Sequence, residues 1–291
     1  MRLANILRKD GVRTLAIGGS KGELIDVSKL SVDGVTNIRA ALEQGSAYLG
    51  ALREAAGKAP EAAILGSSEI AAHLPVAEAD SKIFCVGLNY LSHAEELGLA
   101  IPKQPSIFSR YGTTCVGHEG DILLPKSSDA VDWEGELAVV IGASTKYVAE
   151  ADALAKLAGA SCFNDVSMRD FQERLPRITL AKNFDGSGPM GPWLVTLDEV
   201  GDLRNLDVET RVNGEVVQEA STSEFIFSVP YLISLISQVC ELKPGDVIST
   251  GTPGGVGWAR KPQWYLKDGD VVELEVSSLG TLRNTARRET V

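Results

Sequence analysis

Two glutamates separated by one residue stand directly before an apolar run. Glu134 and Glu136 belong to the segment 132–136 (DWEGE), and residues 137–141 (LAVVI) are apolar and rich in β-branched side chains. Such a run predicts a strand buried on both faces. Because alternate residues of a strand point the same way, the two carboxylates are expected to project side by side. Burying two unpaired carboxylates is very unfavourable, so the pattern favours a divalent cation between them.

Acid spacing alone is weak evidence, since Glu273 and Glu275 have the same spacing. That second pair is followed by Ser277, Ser278 and Gly280, which predicts a solvated face of an outer strand. A third acid distinguishes the first pair: Asp165 follows the strand-like residues 160–163. Three carboxylates without sulfur or imidazole select Mg²⁺, Mn²⁺ or Ca²⁺ over Zn²⁺ and leave positions for water and substrate. Taken alone, Asp165 is equally compatible with a turn or a helix cap.

His93 and Glu96 are three residues apart, so on a helical turn they share a face. The carboxylate would then orient the imidazole, which titrates near neutrality and suits a base that takes and returns a proton. The alternative is a surface histidine beside an acidic patch, because Glu95 is adjacent. The residues by themselves favour that surface alternative.

Lys182 ends an apolar run, residues 178–181, so its ammonium either snorkels to solvent or points into a site. Gly251 and Thr252 belong to the segment 250–255 (TGTPGG), which offers backbone N–H groups and a hydroxyl for close approach to a ligand. The segment lacks the Gly-Lys-Ser/Thr of a phosphate loop, and a plain surface turn is its commoner interpretation. Arg169 and Gln172 lie three apart on a helical turn that Ser167 would begin.

The elements that position these residues fall into two regions. Short strands at 14–17 and 23–27 and a helix from about Thr36 to Ala56 predict a small N-terminal α/β domain, residues 1–75. Residues 76–291 are dominated by strand patterns, including a hairpin at Asn213-Gly214, with a helix after Ser228 as a covering element. The sequence thus predicts an α+β fold with a mostly β catalytic domain.

Composition excludes several classes of protein. Lys+Arg 28 against Asp+Glu 39 gives a formal net charge of −11, without the basic face that a nucleic-acid binder needs. No segment reaches the roughly 18 apolar residues of a membrane span, and the start lacks the apolar centre of a secretory signal, so a cytoplasmic location is expected. The four cysteines show no Cys-x-x-Cys pair and are expected to be reduced core thiols.

Several of these stretches resemble the fumarylacetoacetate hydrolase family, in the family's order and over about residues 80 to 285. The first 75 residues resemble only loosely the small N-terminal domain of its shorter members. Longer members carry a further aspartate ligand where this chain has Val86, so the chain looks like the three-carboxylate branch. The matching motifs are Gly87-Leu88-Asn89-Tyr90 with His93 and Glu96, Asp132-x-Glu134-x-Glu136, Asn164-Asp165-x-Ser167-x-Arg169-Asp170-x-Gln172, Ala181-Lys182-Asn183-Phe184-Asp185, and Thr250-Gly251-Thr252-Pro253-Gly254-Gly255.

The resemblance implies a catalytic domain that is a mixed β-sandwich roll with covering helices, and a homodimer. It implies Glu134, Glu136 and Asp165 as ligands of Mg²⁺ or Mn²⁺. It further implies that His93 and Glu96 form a catalytic dyad on a mobile segment and that Lys182 is a cation beside the reacting oxygens. By the same resemblance, Thr252 with Gly251 belongs to a loop that binds a substrate carboxylate, and Arg169 and Gln172 line the pocket.

Together the residues and the resemblance predict a hydrolase that cleaves a carbon–carbon bond in a 2,4-dioxo acid through a metal-bound enolate. His93 would activate the water, and a carboxylate and a 2-oxo acid would leave. An oxaloacetate-type decarboxylase, a keto–enol isomerase and a sugar-acid dehydratase reach the same enolate and stay open, because fold and metal do not fix the reaction. A non-catalytic protein that binds a metal and a 2-oxo acid is the remaining alternative.

Overall fold

A computed structural model describes residues 1–19, 22–32, 34–175 and 177–290. The strands are β1 (Arg2–Arg8), β2 (Arg13–Gly18), β3 (Leu24–Asp26), β4 (Ile64–Leu65), β5 (Ile70–Leu74), β6 (Lys82–Gly87), β7 (Ser106–Tyr111), β8 (Cys115–Val116), β9 (Asp121–Leu124), β10 (Val131–Asp132), β11 (Gly135–Ile141), β12 (Leu157–Asn164), β13 (Ser167–Met168), β14 (Gly188–Thr196), β15 (Asp207–Val212), β16 (Glu215–Ser221), β17 (Val247–Ser249), β18 (Val271–Val276) and β19 (Gly280–Arg288). The α-helices are α1 (Ile38–Glu43), α2 (Ser46–Gly57), α3 (Leu91–Glu96), α4 (Glu150–Ala153), α5 (Arg169–Arg174), α6 (Thr179–Lys182), α7 (Leu197–Val200) and α8 (Val229–Val239).

Two large sheets carry the fold. The larger has the strand order β4-β3-β2-β1-β14-β12-β11-β17-β6-β7, with β5 added on β1 and β8 on β14. The second has the order β16-β15-β18-β19-β9, and β10 pairs separately with β13. Side chains of both sheets meet in one apolar cluster, in which Leu137 and Val139 of β11 join Val208 of β15 and Leu274 of β18. The predicted α+β class with a mostly β catalytic region is confirmed.

Strand β11 lies inside the larger sheet, antiparallel to both β12 and β17, and all seven of its residues are buried. The prediction of a strand covered on both faces is therefore confirmed. Gly135 is required there, because a Cβ atom at that position would lie 2.1 Å from Oγ1 of Thr210 in the second sheet. Glu273 on β18 is half-buried and Glu275 is exposed, so the solvated face predicted for this acid pair is confirmed. The predicted outer strand is wrong, because β18 lies between β15 and β19.

The N-terminal segment continues the larger sheet. Strand β1 pairs antiparallel with β14, with Leu3 opposite Leu194, and Leu3 shares an apolar cluster with Val140 of β11. The helix predicted over 36–56 is instead two helices, α1 and α2. Gly45 separates them with a φ of 84°, a left-handed conformation that interrupts the helix. The domain boundary near residue 75 stays a prediction.

Other local predictions agree with the structure. Ser228 caps α8, accepting a hydrogen bond from the N–H of Tyr231. The cysteines are unpaired; Cys85 and Cys162 are fully buried, and the other two are partly buried. Within the described ranges, no helix is long and apolar enough to cross a bilayer.

Candidate active site

The three predicted metal ligands lie together. Glu134 precedes β11, Glu136 is on that strand, and Asp165 follows β12; the pairing of Gly135 with Asn164 brings these strand ends side by side. The N–H of Asp165 donates to the carbonyl of Glu134 at 2.8 Å. One oxygen from each carboxylate lies within 4.8 Å of the others, and all three side chains are buried. We call Glu134, Glu136 and Asp165 the acid cluster.

Lys182 turns inward, so the snorkelling alternative is wrong. Its Nζ lies 2.7 Å from Oε2 of Glu134 and 2.7 Å from Oδ2 of Asp165, and the side chain is 3% exposed. Arg169 places Nη2 2.7 Å from the other oxygen of Glu134. Burial acts to raise the pKa of Glu134, but these two cations outweigh it and hold that pKa at about 2.

Glu136 differs from its two neighbours, because no ion pair reaches it from the described residues. Its Oε2 accepts hydrogen bonds from the hydroxyl of Ser249 and, at 2.9 Å, from the N–H of Gly251. Burial and then the charges of Asp165 and Glu134 raise the pKa of Glu136 well above its usual value. A hard divalent cation would relieve this repulsion, and three carboxylates are the ligands that Mg²⁺ and Mn²⁺ prefer. The acid cluster therefore fits such an ion.

Arg110 supports the cluster, although no pattern in the sequence indicated this role. Its Nη1 donates to Oδ1 of Asp165 and its Nη2 to the hydroxyl of Ser187, and the guanidinium is fully buried. Ser187 in turn donates to the carbonyl of Lys182 at 2.9 Å. A lone arginine in an otherwise ordinary strand, β7, has no spacing that would reveal this role.

Asp132 is the second residue that the site prediction omitted. Its carboxylate accepts hydrogen bonds from Nε of Arg169 at 2.8 Å, the N–H of Gly257 at 2.8 Å and the N–H of Trp258 at 3.0 Å. Its burial outweighs these partners and raises its pKa. The signal was present in the sequence, because Asp132 stands at the same alternate spacing as Glu134 and Glu136.

His93 and Glu96 form the predicted pair on α3. Nδ1 of His93 lies 3.3 Å from Oε2 of Glu96, and the other oxygen of Glu96 accepts the N–H of Gly255 at 2.8 Å. His93 is 8% exposed, so the surface-histidine alternative is wrong. The contact with Gly255 attaches the helix to the glycine-rich segment beside the acid cluster.

The remaining candidates take different places. Oγ1 of Thr252 donates to the carbonyl of Gly135 at 3.1 Å and accepts from Nε2 of Gln218 at 2.8 Å, so the fold engages this hydroxyl on both sides. Gly251 directs its N–H to Glu136. Gln172 accepts a hydrogen bond from Nη1 of Arg169 at 3.0 Å.

A cavity of about 250 Å³ joins these groups. The acid cluster, Lys182, Arg169 and His93 all line it. Its lining is completed by Val86, Gly87, Leu88, Leu97, Leu99, Ser106, Phe108, Gln172, Ile178, Thr252 and Trp258. A base, a lysine cation and a cluster of hard ligands thus face one small cavity, which is an arrangement suited to enolate chemistry.

Comparison with known proteins agrees with this geometry. The family model for the C-terminal region of fumarylacetoacetate (FAA) hydrolase matches residues 82–287. The chain belongs to the fumarylacetoacetate hydrolase family, which is a family of enzymes.

Among curated relatives, the mitochondrial oxaloacetate tautomerase FAHD2A of Bos taurus is 43% identical over 268 residues, covering 91% of this chain and 84% of the relative. The crystal structure of 2-hydroxyhepta-2,4-diene-1,7-dioate isomerase from Mycobacterium marinum has a TM-score of 0.75 and 32% identity, with both chains fully covered. The fumarylacetoacetate hydrolase of Exiguobacterium antarcticum has a TM-score of 0.84 and 28% identity, covering 99% of this chain and 100% of that one. The names of these relatives thus describe three different reactions, by a tautomerase, an isomerase and a hydrolase.

Proposed function

We propose that the chain is a divalent-metal-dependent enol–keto tautomerase of a small 2-oxo dicarboxylate, with oxaloacetate as the first substrate to test. The observation that carries the proposal is that the imidazole of His93 and the acid cluster with Lys182 face the same small cavity. The similarity to an oxaloacetate tautomerase and to an isomerase supports it. We therefore favour isomerisation over the carbon–carbon hydrolysis that the sequence predicted.

The size of the cavity supports a short substrate. Its volume of about 250 Å³ lies below the roughly 300–1,000 Å³ typical of pockets for drug-sized ligands. A four-carbon dicarboxylate fits such a volume more easily than a long dioxo acid.

Glu134, Glu136 and Asp165 would hold the Mg²⁺ or Mn²⁺ ion, which when bound supplies Lewis-acid polarisation of the 2-oxo group. Lys182 adds a second positive charge beside the oxygen on which negative charge develops. Because Lys182 is fixed by Glu134 and Asp165, its ammonium needs no reorganisation during the reaction.

His93 moves the carbon-bound proton. Glu96 lies at Nδ1, which assigns the ring proton to that nitrogen and leaves Nε2 as the base. In the direction from keto to enol, Nε2 takes a proton from C3, the carbonyl oxygen gains one from solvent, and His93 then releases its proton to solvent. In the reverse direction, protonated His93 delivers a proton to C3 and the enol oxygen loses one to solvent, so atoms and charge balance. Arg169 offers positive charge to the far carboxylate of the substrate.

The test is the conversion of freshly dissolved enol-oxaloacetate to the keto form, followed by malate dehydrogenase with NADH, with Mg²⁺ or Mn²⁺ present. Faster keto formation with protein, abolished by EDTA and restored by the metal, is the expected result. Unchanged conversion under all these conditions would refute the proposal, and metal-dependent binding without turnover would indicate a binding protein.

A second candidate is the hydrolysis of acylpyruvates, favoured by the His93–Glu96 pair, which is also suited to activating water. Lactate dehydrogenase detects the pyruvate that such hydrolysis releases. Pyruvate from acetylpyruvate would indicate hydrolysis, pyruvate with CO₂ from oxaloacetate would indicate decarboxylation, and keto-oxaloacetate alone would indicate tautomerisation.

A further inference from the structure

The indole of Trp258 lies next to Arg169 and lines the same cavity. Nη2 of Arg169 is 2.7 Å from Glu134, and the guanidinium carbon is 5.9 Å from the centre of the Trp258 ring. All three residues line the same cavity. A ligand anchored at the acid cluster and extended along Arg169 therefore meets the indole next.

Two hydrogen bonds from opposite ends hold this tryptophan. Its backbone N–H donates to the buried carboxylate of Asp132 at 3.0 Å, and its Nε1 donates to Oε1 of Glu173 at 2.6 Å. A tryptophan side chain has only two torsions, so a fixed backbone and a fixed ring nitrogen leave it one orientation. These two bonds therefore favour the orientation in which the indole lines the wall.

Asp132 links this wall to the rest of the site, because the same carboxylate accepts the Nε–H of Arg169 at 2.8 Å. One buried group therefore fixes both the arginine that would meet the far end of the ligand and the backbone that carries the indole. Neither can shift outward without leaving a buried carboxylate short of a partner, which is unfavourable.

We propose that Trp258 limits the length of the ligand, so that the site accepts 2-oxo acids of about four carbons and rejects those extended by one or two further methylenes. The substrate class in this statement rests on the proposed function, but the length limit belongs to the wall itself. Each added methylene would have to displace a large, doubly anchored ring.

The test measures binding, so that it does not depend on turnover. Oxalate, 2-oxoglutarate and 2-oxoadipate are titrated by calorimetry into the protein in MnCl₂, with chelation of free Mn²⁺ subtracted by a titration without protein. In the wild type, affinity is expected to fall as the chain lengthens. In Trp258→Ala, 2-oxoadipate should bind about tenfold more tightly or better, the scale of discrimination that one or two methylenes give. Oxalate, which is too short to reach the wall, should bind as in the wild type.

Three further variants isolate the wall. Trp264→Phe changes a tryptophan of the same segment that packs edge-on against Trp133, with ring centres 5.2 Å apart, and it should leave the length dependence unchanged. Glu173→Gln keeps an acceptor for the indole N–H and should also leave the length dependence unchanged. Trp258→Phe should give an intermediate profile, because it shortens the ring and removes Nε1.

The outcomes separate this inference from the proposed function. An unchanged length profile in Trp258→Ala, or equal loss of all three ligands, would overturn the role of the indole. The same relaxation in Trp264→Phe would also overturn it. A length profile that responds to Trp258 in a protein without tautomerase activity would support the wall and refute the proposed reaction.

Discussion

Nη1 of Arg110 donates a hydrogen bond to Oδ1 of Asp165, and the exposed fraction of the side chain is 0% for Arg110 and 1% for Asp165. The other nitrogen of the fork donates to Ser187, which donates to the carbonyl of Lys182. One guanidinium therefore fixes a candidate metal ligand relative to the segment that carries the lysine cation. A lysine ammonium at the same place lacks the fork of two nitrogens and could not bind both Asp165 and Ser187 in this way.

Replacing Arg110 is expected to weaken metal binding although Arg110 is not a ligand. Arg110→Met should lower Mn²⁺ affinity about 10- to 100-fold, the usual effect of removing a group that orients a metal ligand. Arg110→Lys should fall between this variant and the wild type, because it keeps the charge and loses the fork. Calorimetric titration of the metal-free protein with MnCl₂ measures the affinities directly.

Arg8→Met is the matched control for this experiment. Arg8 also pairs with a buried aspartate, Asp26, at 3.1 Å, but it belongs to β1, and neither residue lines the cavity of the candidate site. Both methionine variants should lower the melting temperature, and only Arg110→Met should change the affinity. Wild-type affinity in Arg110→Met would contradict the positioning role.

Replacing His93 or Glu96 is expected to slow the reaction without weakening metal binding. His93→Ala should slow tautomerisation about 10²- to 10⁴-fold, the range that a positioned general base contributes. Glu96→Gln should cost less, because the amide oxygen still accepts the N–H of Gly255 and only the charge beside the imidazole is removed. Mn²⁺ affinity of both variants should equal that of the wild type; a full rate in His93→Ala would remove the pair from the mechanism.

The acid cluster could be predicted from the sequence because the patterns that define it are local. Alternation places Glu134 and Glu136 on one face, the apolar run behind them requires burial, and Asp165 stands at the end of a second strand pattern. Buried carboxylates then call for a cation whatever the rest of the fold is. The same reasoning identified Glu273 and Glu275 as a solvated pair, since no apolar run follows them.

What the sequence did not reveal depends on contacts between distant residues. Arg110 reaches Asp165 although β11, β17 and β6 lie between β12 and β7 in the sheet order, and Leu3 meets Leu194 across a register that no local pattern specifies. The break at Gly45 was missed because the apolar spacing of α1 continues into α2 in the sequence, although the backbone does not. Sheet order, more than element type, was the missing information.

Glu136→Gln tests whether the acid cluster is built for a cation. The amide keeps an oxygen for the hydroxyl of Ser249 and the N–H of Gly251, and it removes a buried negative charge beside two others. Without metal, the variant should therefore be at least as stable as the wild type. With Mn²⁺ at about 100 times the wild-type dissociation constant, the wild type should gain about 2.7 kcal/mol and the variant very little.

Urea denaturation of both proteins, with EDTA and with MnCl₂, provides these free energies of unfolding. Glu273→Gln, on the solvated strand, is the control and should behave like the wild type in both buffers. A variant at position 136 that is stabilised by Mn²⁺ as strongly as the wild type would show that the cluster does not bind the ion.

A pair of histidines away from the cavity predicts how stability depends on pH. The rings of His73, on β5, and His118 lie 5.4 Å apart, and burial lowers the pKa of both; the neighbouring charge of Glu119 opposes the shift, while Arg283 adds to it at His118. At pH values between the lowered and the usual pKa values, the unfolded chain therefore binds protons at these histidines that the folded chain does not bind. This contribution to stability is complete above about pH 6.5, the usual pKa of histidine, and is lost as the pH falls through the lowered values.

The free energy of unfolding is thus expected to fall between about pH 7 and pH 5, by up to about 1.4 kcal/mol per pH unit for each proton taken up. The double variant His73→Gln/His118→Asn should flatten this slope, because the amide of residue 118 still accepts the N–H of Arg283 and neither new side chain titrates. Urea denaturation at a series of pH values, with EDTA present throughout, measures both curves. Equal slopes for the two proteins would place the pH-sensitive groups elsewhere in the chain.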